Sequence, residues 1–389
     1  MGTMSKTLPE PSAAAAAGRP GLPVPREDLA GQHPYGAPQL AVPHMLNVNE
    51  NPFPPSPALA AALGSAVTEV AGSLNRYPDR EFEQLRARLG AYLAEESEVP
   101  APTAAQVWAA NGSNEVMHQL LLAFGGPGRT ALSFTPHYSM YPEYARDTFT
   151  GWIAEPRGDA PEFALTVADV RAAIDRHAPD VVILTSPNNP TGTALDLDLV
   201  RAAAEALAPR RGLVVVDEAY AEFRRDGVPS ALTLLADHPN LVVTRTMSKA
   251  FALAGARIGY LVADPALVDA VRIVRLPYHL SGVTQAVALT ALDHRQELLS
   301  QVAVLRAERD ALAEHLRGRG HLVAPSDANF LLFRPLLTAG GDRRAVWQSL
   351  LDQGVLIREV GPQPWLRVSI GTPDDNSAFR TALEEADPR

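Results

Sequence analysis

The sequence predicts an α/β protein with a large domain, built on a mostly parallel sheet covered by helices, and a smaller α+β domain. Five short, continuous apolar runs carry this prediction, at residues 130–134, 181–185, 213–216, 241–244 and 258–262. Such runs are typical of parallel strands whose two faces are both buried. Segments with apolar residues at helical spacing, such as residues 196–207, suit the crossover connections between parallel strands.

The remaining elements divide the chain into segments. Helices are predicted over residues 82–93 and 116–124, with Asn111 capping the second, and a long helical run covers residues 283–317. Strands near residues 330–333, 355–358 and 366–370 indicate the α+β domain. We predict a disordered Pro/Ala/Gly-rich tail at 1–27, an N-terminal arm at 28–45, a large domain at 70–290, and a small domain from 46–69 and 291–389.

Composition excludes several classes of protein. The 389 residues carry a net charge of -10 without a local basic patch, which argues against a nucleic-acid surface. Cysteine is absent, so thiol catalysis, cysteine metal sites and disulfides are excluded, and no metal site is predicted. No apolar run reaches membrane-spanning length and no signal-peptide core is evident, so the cytoplasm is the expected location.

The stretch after the strand at residues 241–244 is the strongest indication of chemistry. Ser248 and Lys249 follow that strand directly, and Arg257 comes eight positions later. A buried ammonium without a partner is costly, which favours a lysine condensed with an aldehyde cofactor that bears a phosphate. Ser248 and Arg257 would hold the phosphate. A surface lysine at a strand end is an equally good interpretation of this stretch alone.

Four other stretches lie where α/β folds place ligands, at carboxyl ends of strands and amino ends of helices. Residues 111–115 open a helix whose free amides form an anion site, and two prolines fix Asn189 in a loop after a strand. Asp217 ends a run of valines, where a protonated pyridine nitrogen would satisfy its carboxylate. Tyr138 could stack on a flat ring. A helix cap, a turn, a salt bridge and ordinary packing are the respective alternatives.

The order of these stretches resembles the fold-type I pyridoxal-phosphate aminotransferases, and most closely the histidinol-phosphate aminotransferase family. The resemblance covers nearly the whole chain after residue 30. It rests on motifs typical of the superfamily, Ser-Pro-Asn-Asn-Pro-Thr-Gly at 186–192 and Ser-Lys-Ala-Phe at 248–251, and on motifs that narrow it to the family, Asn-Val-Asn-Glu-Asn-Pro at 47–52 and Arg-Tyr-Pro at 76–78. His-Pro-Tyr at 33–35, Pro-Tyr-His-Leu at 277–280 and Leu-Arg-Val at 366–368 agree with it.

The resemblance implies pyridoxal 5'-phosphate as cofactor and assigns the residues around its ring. Lys249 forms the Schiff base and moves protons, and Asp217 pairs with the pyridine nitrogen. Asn189 and Tyr220 contact the ring oxygen, and Tyr138 stacks on the ring. Lys249, Asp217 and Tyr220 are thus the implied catalytic residues.

The resemblance also assigns residues to the two kinds of anion. Those implied to bind the cofactor phosphate are Ser113, Asn114, Ser248 and Arg257, with Tyr77 reaching in from a second subunit. Those implied to bind substrate are Tyr35, Asn49, Tyr278, Arg358 and Arg367. Arg367 matches the arginine that holds the α-carboxylate of glutamate, whereas Arg358 and Tyr35 match groups that receive a phosphate or a distal carboxylate. Asn114 departs from the aspartate of many relatives.

These assignments imply an aminotransferase in histidine biosynthesis that passes an amino group between glutamate and imidazole-acetol phosphate and works as a homodimer with shared sites. Its partners would be small molecules, with no nucleic acid and no membrane. An aromatic amino-acid aminotransferase is the main alternative, and a pyridoxal-phosphate decarboxylase of a phosphorylated amino acid is a further one. A cofactor-binding transcription regulator would need an N-terminal DNA-binding domain for which the residues before the arm leave no room.

Overall fold

A computed structural model describes residues 23–34, 36–336 and 342–386. The chain forms two compact units, Met1–Leu40 and Ala41–Arg389. In the described part of the first unit a 3-10 turn spans Glu27–Leu29, and Arg26 forms an ion pair with Asp28 at 3.2 Å. Residues 1–22 of the predicted tail lie outside the described residues, and so does Tyr35 of the predicted arm. The bounds of the tail and of the arm stay predictions.

The second unit contains a large sheet and two small ones. The strands of the large sheet are β2 (Val107–Ala110), β3 (Thr130–Thr135), β4 (Gly151–Pro156), β5 (Val181–Thr185), β6 (Leu213–Asp217), β7 (Leu241–Thr246) and β8 (Gly259–Ala263). The strands of the small sheets are β1 (His44–Met45), β9 (Leu322–Val323), β10 (Phe330–Arg334), β11 (Val355–Leu356) and β12 (Leu366–Ser369). The strand order in the large sheet is β2-β8-β7-β6-β5-β3-β4.

The α-helices lie between and after these strands. They are α1 (Pro57–Ala71), α2 (Glu83–Ser97), α3 (Ser113–Phe124), α4 (Tyr141–Asp147), α5 (Val167–His177), α6 (Leu197–Leu207), α7 (Pro265–Val274), α8 (Gly282–Asp293), α9 (Arg295–Gly318), α10 (Arg343–Asp352) and α11 (Pro373–Ala386). Helix α6 is one example of a crossover: the Asp196 side chain caps it by accepting from the Asp198 amide, and it packs against β6.

The middle of the large sheet is parallel and fully buried. β3, β5, β6 and β7 run parallel with β4, and every residue of β5 and β6 is buried. Valine-rich runs fit such strands because branched side chains pack well on a pleated surface. The carboxyl ends of these strands therefore meet along one edge of the sheet, where β6 ends at Asp217 and β7 leads into Ser248 and Lys249.

The three-stranded sheet carries Arg367, one of the predicted substrate-binding residues. Its order is β12-β10-β9 with antiparallel pairing, and Arg367 of β12 pairs with Leu332 of β10. Strand β1 pairs in parallel with β11 in a separate ribbon. The predicted small domain, residues 46–69 and 291–389, includes β9 to β12, whereas β1 falls in the predicted arm at 28–45. The boundary between a large and a small domain stays a prediction.

The structure corrects the sequence-based elements in three respects. β8, predicted among the parallel strands, runs antiparallel to β7 and to β2. The helical run predicted over 283–317 is two helices, α8 and α9, separated at His294. Strands β1, β2, β4 and β9 were missed, as were α1, α4, α5, α7, α10 and α11. β4 is a sheet-edge strand with half-exposed and exposed residues, so it lacks the continuous apolar run of a central strand.

Candidate active site

Lys249 lies in a buried setting just beyond the carboxyl end of β7. Its Nζ donates to the Val48 carbonyl at 3.1 Å and lies 6.0 Å from the centre of the Tyr220 ring. Burial is the largest cause that lowers the pKa of Lys249 to about 8; the charges of Arg367 and Arg257 act in the same direction, and Glu50 opposes them. Near neutral pH a larger fraction of the amine is therefore unprotonated and nucleophilic than in an ordinary lysine.

Asp217 is held by three donors at the end of β6. The Tyr141 hydroxyl donates to its Oδ2 at 2.7 Å, and the Thr244 hydroxyl and the Ala219 amide both donate to its Oδ1 at 3.2 Å. Burial raises the pKa of Asp217, and these hydrogen bonds oppose that rise. A cationic nitrogen placed against this carboxylate would favour its ionised form. Tyr141 also lies 2.8 Å from the Thr185 hydroxyl at the end of β5.

The start of helix α3 has the geometry that attracts an anion. The first-turn amides of a helix have no intrahelical partners and attract negative charge. A Cβ at Gly112 would lie 2.6 Å from Nη2 of Arg257, so the guanidinium rests close to this backbone. Gly259 also permits a close approach: its Cβ would lie 2.1 Å from the Ser113 amide nitrogen. Ser248 lies nine positions before Arg257, and its hydroxyl accepts a hydrogen bond from the Thr246 hydroxyl at 3.0 Å.

Asn111 does not cap this helix, contrary to the sequence-based prediction. The N-cap position belongs to Gly112, whose φ is 85°. Instead, both the Asn111 backbone amide and its side-chain amide donate to Glu115 Oε2 at 2.7 Å. The side-chain amide also donates to the His279 carbonyl at 2.8 Å. Asn111 thus ties the turn before α3 to the segment that carries Tyr278.

A hydrogen-bonded network joins the predicted ring-oxygen donors to the predicted substrate residues. The Tyr220 hydroxyl accepts from Asn49 Nδ2 at 3.1 Å and from Asn189 Nδ2 at 3.4 Å. Arg367 Nη1 donates to Asn189 Oδ1 at 2.7 Å, and its Nη2 donates to the Asn47 carbonyl at 2.8 Å. The Ser369 hydroxyl donates to Asn49 Oδ1 at 2.8 Å. The large sheet and the three-stranded sheet therefore meet at these side chains.

Arg358 and Arg367 face each other across an antiparallel bridge. Each backbone amide donates to the other residue's carbonyl at 2.9 Å. Side chains of directly opposed residues in such a pair leave the same face of the sheet. Arg367 is buried and packs 5.1 Å from the centre of the Phe330 ring, whereas Arg358 is half-buried. Two neighbouring guanidinium groups on one face favour an anionic ligand.

Tyr138 lies in one environment, and Tyr77 and Tyr278 lie together in another. Tyr138 packs edge-on against Tyr141, with ring centres 5.6 Å apart. Tyr77 is 80% exposed and stacks on Tyr278 with ring centres 4.3 Å apart and planes 12° apart. Tyr278 has a positive φ of 54°. The roles assigned to these residues, and those of Ser113 and Asn114, stay predictions, and Tyr35 lies outside the described residues.

Sequence reasoning missed two features of this site. Tyr141 donates directly to Asp217, yet the two residues are separated by 76 positions, and no local pattern connects them. The second feature could have been found from the sequence: the chain has only two lysines, Lys6 and Lys249, beside 32 arginines. A lysine kept after a buried strand in such an arginine-rich chain indicates chemistry that a guanidinium cannot perform, because only an amine has an accessible neutral form.

Comparisons with known proteins agree with this arrangement. Residues 44–383 match the family model described as Aminotransferase class I and II. The histidinol-phosphate aminotransferase of Thermobifida fusca (strain YX) is 60% identical over 364 residues, which cover 94% of this chain and 95% of that protein. That of Frankia casuarinae is 58% identical and covers 93% of this chain and 90% of that protein.

A solved structure shows the same fold. The crystal structure of histidinol-phosphate aminotransferase from Sinorhizobium meliloti in complex with pyridoxal-5'-phosphate has a TM-score of 0.76 and 26% sequence identity, and covers 89% of this chain and 91% of that chain. The predicted α/β fold of a fold-type I transferase and the predicted resemblance are both confirmed. With the lysine, the buried carboxylate and the helix-terminal anion site in the expected order, the chain belongs to the class I and II aminotransferases.

Proposed function

We propose that the protein is a pyridoxal 5'-phosphate-dependent histidinol-phosphate aminotransferase of histidine biosynthesis. It would pass an amino group between glutamate and imidazole-acetol phosphate, giving 2-oxoglutarate and histidinol phosphate. The observation that carries the proposal is the opposed pair Arg358 and Arg367 on one face of a strand pair, joined by Arg367 to Asn189. The names of the relatives that cover more than 90% of the chain support it.

The residues present fit the cofactor at both of its charged ends. The buried Asp217 carboxylate would pair with the protonated pyridine nitrogen, whose positive charge would balance it. The start of α3, with Arg257 beside Gly112, would hold the phosphate. Lys249 is half-buried and its pKa is lowered to about 8, which suits attachment to an aldehyde carbon. When bound, the cofactor supplies an electron sink for the bond that breaks at the substrate.

The protein's own groups would then hold the substrate and move its protons. Lys249 acts as general base and acid at the substrate carbon that bears the amino group, since its amine can change protonation state near neutral pH. Tyr141 and Thr244 keep Asp217 oriented and ionised. Asn189 and Tyr220 would orient the ring oxygen through their shared hydrogen bond.

Two arginines can serve two substrates of different charge. Glutamate carries two carboxylates, whereas histidinol phosphate carries a phosphate and no carboxylate. Arg367 would take the α-carboxylate of glutamate, and Arg358 would take its distal carboxylate or, alternately, the phosphate of histidinol phosphate. The guanidinium fork suits both anions because its parallel donors match paired oxygens. Tyr35 and Tyr278 are proposed as further contacts to the substrate.

We also propose a two-fold homodimer with shared active sites. Large apolar side chains stand exposed near the stacked Tyr77 and Tyr278, namely Leu74 (59% exposed), Ile273 (84%) and Leu276 (72%). Gly282 connects these segments in space, since a Cβ there would lie 3.3 Å from Val70 and 3.8 Å from Pro78. Exposed apolar groups gathered in this way favour burial against a second copy. Among the described residues no helix is long and apolar enough to cross a membrane, and the cytoplasmic location stays a prediction.

Shared sites can be tested with two inactive chains. Lys249→Ala keeps Tyr77, and Tyr77→Ala keeps Lys249, so a mixed dimer contains one site with both residues if Tyr77 serves the partner's site. We expect activity to return when the two variants are refolded together. Absence of any recovery, with mixed dimers verified by tagged purification, would contradict the sharing of Tyr77.

The substrate proposal is tested by the half-reaction, followed through the visible absorbance of the bound cofactor. Equal concentrations of histidinol phosphate and phenylalanine are added separately to the loaded enzyme. We expect histidinol phosphate to convert the cofactor faster, because only it has a phosphate for Arg358. A faster reaction with phenylalanine would favour the aromatic amino-acid aminotransferase instead.

A further inference from the structure

A cavity of about 460 Å³ lies between loops that the proposed reaction does not use. Its walls come from the loop after β4, the segment leading into α6, residues 225–229, and the turn before β10. This volume is in the range of small-molecule sites. Arg157, which follows β4 directly, lines the cavity and is only 8% exposed.

Arg157 is a buried cation whose charge is not neutralised by a described carboxylate. Its Nε donates to the Phe134 carbonyl at 3.4 Å, and its buried Nη1 has no hydrogen-bond partner among the described residues. Burial lowers the pKa of Arg157 to about 10, so the guanidinium still carries its charge at neutral pH. A buried charge of this kind is costly unless something pairs with it.

Arg245 shows how the same protein satisfies a buried arginine when the role is structural. It is completely buried, and its guanidinium lies 2.8 Å from Glu218, 3.1 Å from Glu96 and 3.4 Å from Glu222. Three carboxylates surround one cation there, whereas within the described chain Arg157 forms no ion pair with a carboxylate. The contrast indicates that the anionic partner of Arg157 is not among the described residues.

The acidic side chains that line the cavity, Glu162, Asp196 and Asp327, do not neutralise the charge of Arg157. Asp327 is already paired: its Oδ1 accepts from Arg225 Nε at 2.8 Å, and its Oδ2 accepts from Arg225 Nη2 at 3.0 Å. Asp196 caps α6 through the Asp198 amide, and both Asp196 and Glu162 are exposed. The charge of Arg157 therefore belongs to a cavity wall whose acidic groups are paired with Arg225 or exposed.

The rest of the lining is largely apolar. Phe163, Leu165 and Leu195 are buried side chains of the wall, and Phe163 packs edge-on against Trp365 with ring centres 5.4 Å apart. A ligand that fits must present an anionic group to Arg157 and an apolar body to these side chains. A carboxylate matches a guanidinium in shape and in charge.

We propose that this cavity is a second ligand site, separate from the reaction centre, which binds a small organic carboxylate with an apolar body through Arg157. The site is connected to the catalytic loop at 186–192: the Asp327 amide donates to the Gly192 carbonyl at 2.8 Å. Gly192 has a φ of 85°, and a Cβ there would lie 2.5 Å from the Ser326 hydroxyl. The loop that carries Asn189 is thus hydrogen-bonded to Asp327, a residue of the cavity wall.

The test is calorimetric titration of the cofactor-loaded protein with 3-phenylpropionate, a carboxylate that has no amino group to transfer. All proteins carry Arg367→Gln, which weakens binding of carboxylates at the reaction centre. The measured variants add Arg157→Gln or Arg157→Met. The matched control adds Arg171→Gln, which removes the same charge from a half-exposed arginine paired with Glu205 at 2.9 Å. The neutral analogue 3-phenylpropanol measures the apolar contribution alone.

We expect the Arg367→Gln parent and the Arg171 control to bind one 3-phenylpropionate per chain with equal affinity, and both Arg157 variants to bind at least about tenfold more weakly. 3-Phenylpropanol should bind all four proteins equally weakly. The proposal is overturned if both Arg157 variants bind within about twofold of the parent, if the Arg171 control loses as much, or if the parent gives no binding heat up to about 10 mM. Since the readout is binding heat, it does not depend on which amino donor the enzyme uses.

Discussion

The two halves of the proposed active site are held in different ways. The cofactor half, formed by Lys249, Asp217 and Tyr141, lies at the carboxyl edge of the large buried sheet, and its groups bond to one another or to backbone. The substrate half, formed by Arg358 and Arg367, lies on the three-stranded sheet and its neighbouring bridge. Substitutions in the cofactor half should therefore reduce activity equally with every amino donor, whereas those at Arg358 should distinguish donors by their charge.

The largest effect is expected for Lys249→Ala. The variant should retain pyridoxal phosphate through Arg257 and the start of α3, yet lose transamination by at least about four powers of ten with both histidinol phosphate and phenylalanine. Bound cofactor is measured after gel filtration, and turnover by coupled assay. Borohydride reduction of the wild-type enzyme, followed by peptide mapping, should place the cofactor on Lys249 and not on Lys6, the one other lysine. Normal turnover in the variant would refute the assignment.

Asp217→Ala should cost almost as much. Without the carboxylate the ring nitrogen loses the group that keeps it protonated, and kcat should fall by about three powers of ten with either donor. The ratio of kcat/KM values for the two donors should stay unchanged, because Asp217 faces the cofactor and not the substrate. A fall of less than about tenfold would mean that Asp217 has only a structural role.

The residues proposed for the cofactor half, apart from Tyr141, could be named from the sequence because their signals are local. Strands β5 and β6 are continuous apolar runs, and the polar residues that end them, or follow β7, stand out against those runs. Asp217 and Lys249 could therefore be named from a few neighbours each. The strand β2, of four residues, and the edge strand β4 gave no comparable signal.

Contacts between distant segments could not be predicted in the same way. Tyr141 meets Asp217 only because α4 follows β3, a neighbour of β5 in the sheet, and so returns to the edge where β6 ends. The helix-capping prediction for Asn111 failed for a similar reason, since Glu115 and the His279 carbonyl compete for its side chain. Such pairings depend on the register and order of strands, which local residue patterns do not fix.

Arg358→Ala, unlike the substitutions in the cofactor half, should reduce kcat/KM more with one amino donor than with the other. Losing this guanidinium leaves the phosphate of histidinol phosphate short of a partner, so kcat/KM for that donor should fall roughly a hundredfold. Phenylalanine has no second anion and should be affected several times less. Arg344→Ala is the control, because Arg344 is an exposed neighbour that pairs with Glu359. An equal fall in kcat/KM with both donors would contradict the proposal that Arg358 binds the phosphate of histidinol phosphate.

The smallest effect, and the most specific one, is expected for Tyr141→Phe. This change removes only the hydroxyl that donates to Asp217 Oδ2 at 2.7 Å. A hydrogen bond to a charged group contributes about 1.5–3 kcal/mol, so the pKa of the Asp217 carboxyl should rise beyond the increase that burial already causes. Because Thr244 and Ala219 still hold the other oxygen, we expect kcat to fall only about tenfold at neutral pH.

The pH dependence distinguishes this positioning role from a loss of packing. A carboxyl whose pKa is raised stays ionised only at higher pH, so the fall in activity should be largest on the acid side and should shrink as pH rises. Tyr144→Phe is the matched control, since Tyr144 is buried on the same helix and is not among the donors to Asp217. The fall should be equal with histidinol phosphate and phenylalanine, as for Asp217 itself. If Tyr141→Phe instead changed the preference between donors, or lowered kcat equally at every pH, the hydroxyl would act on the substrate half or on packing, and the separation of the two halves would fail at this residue.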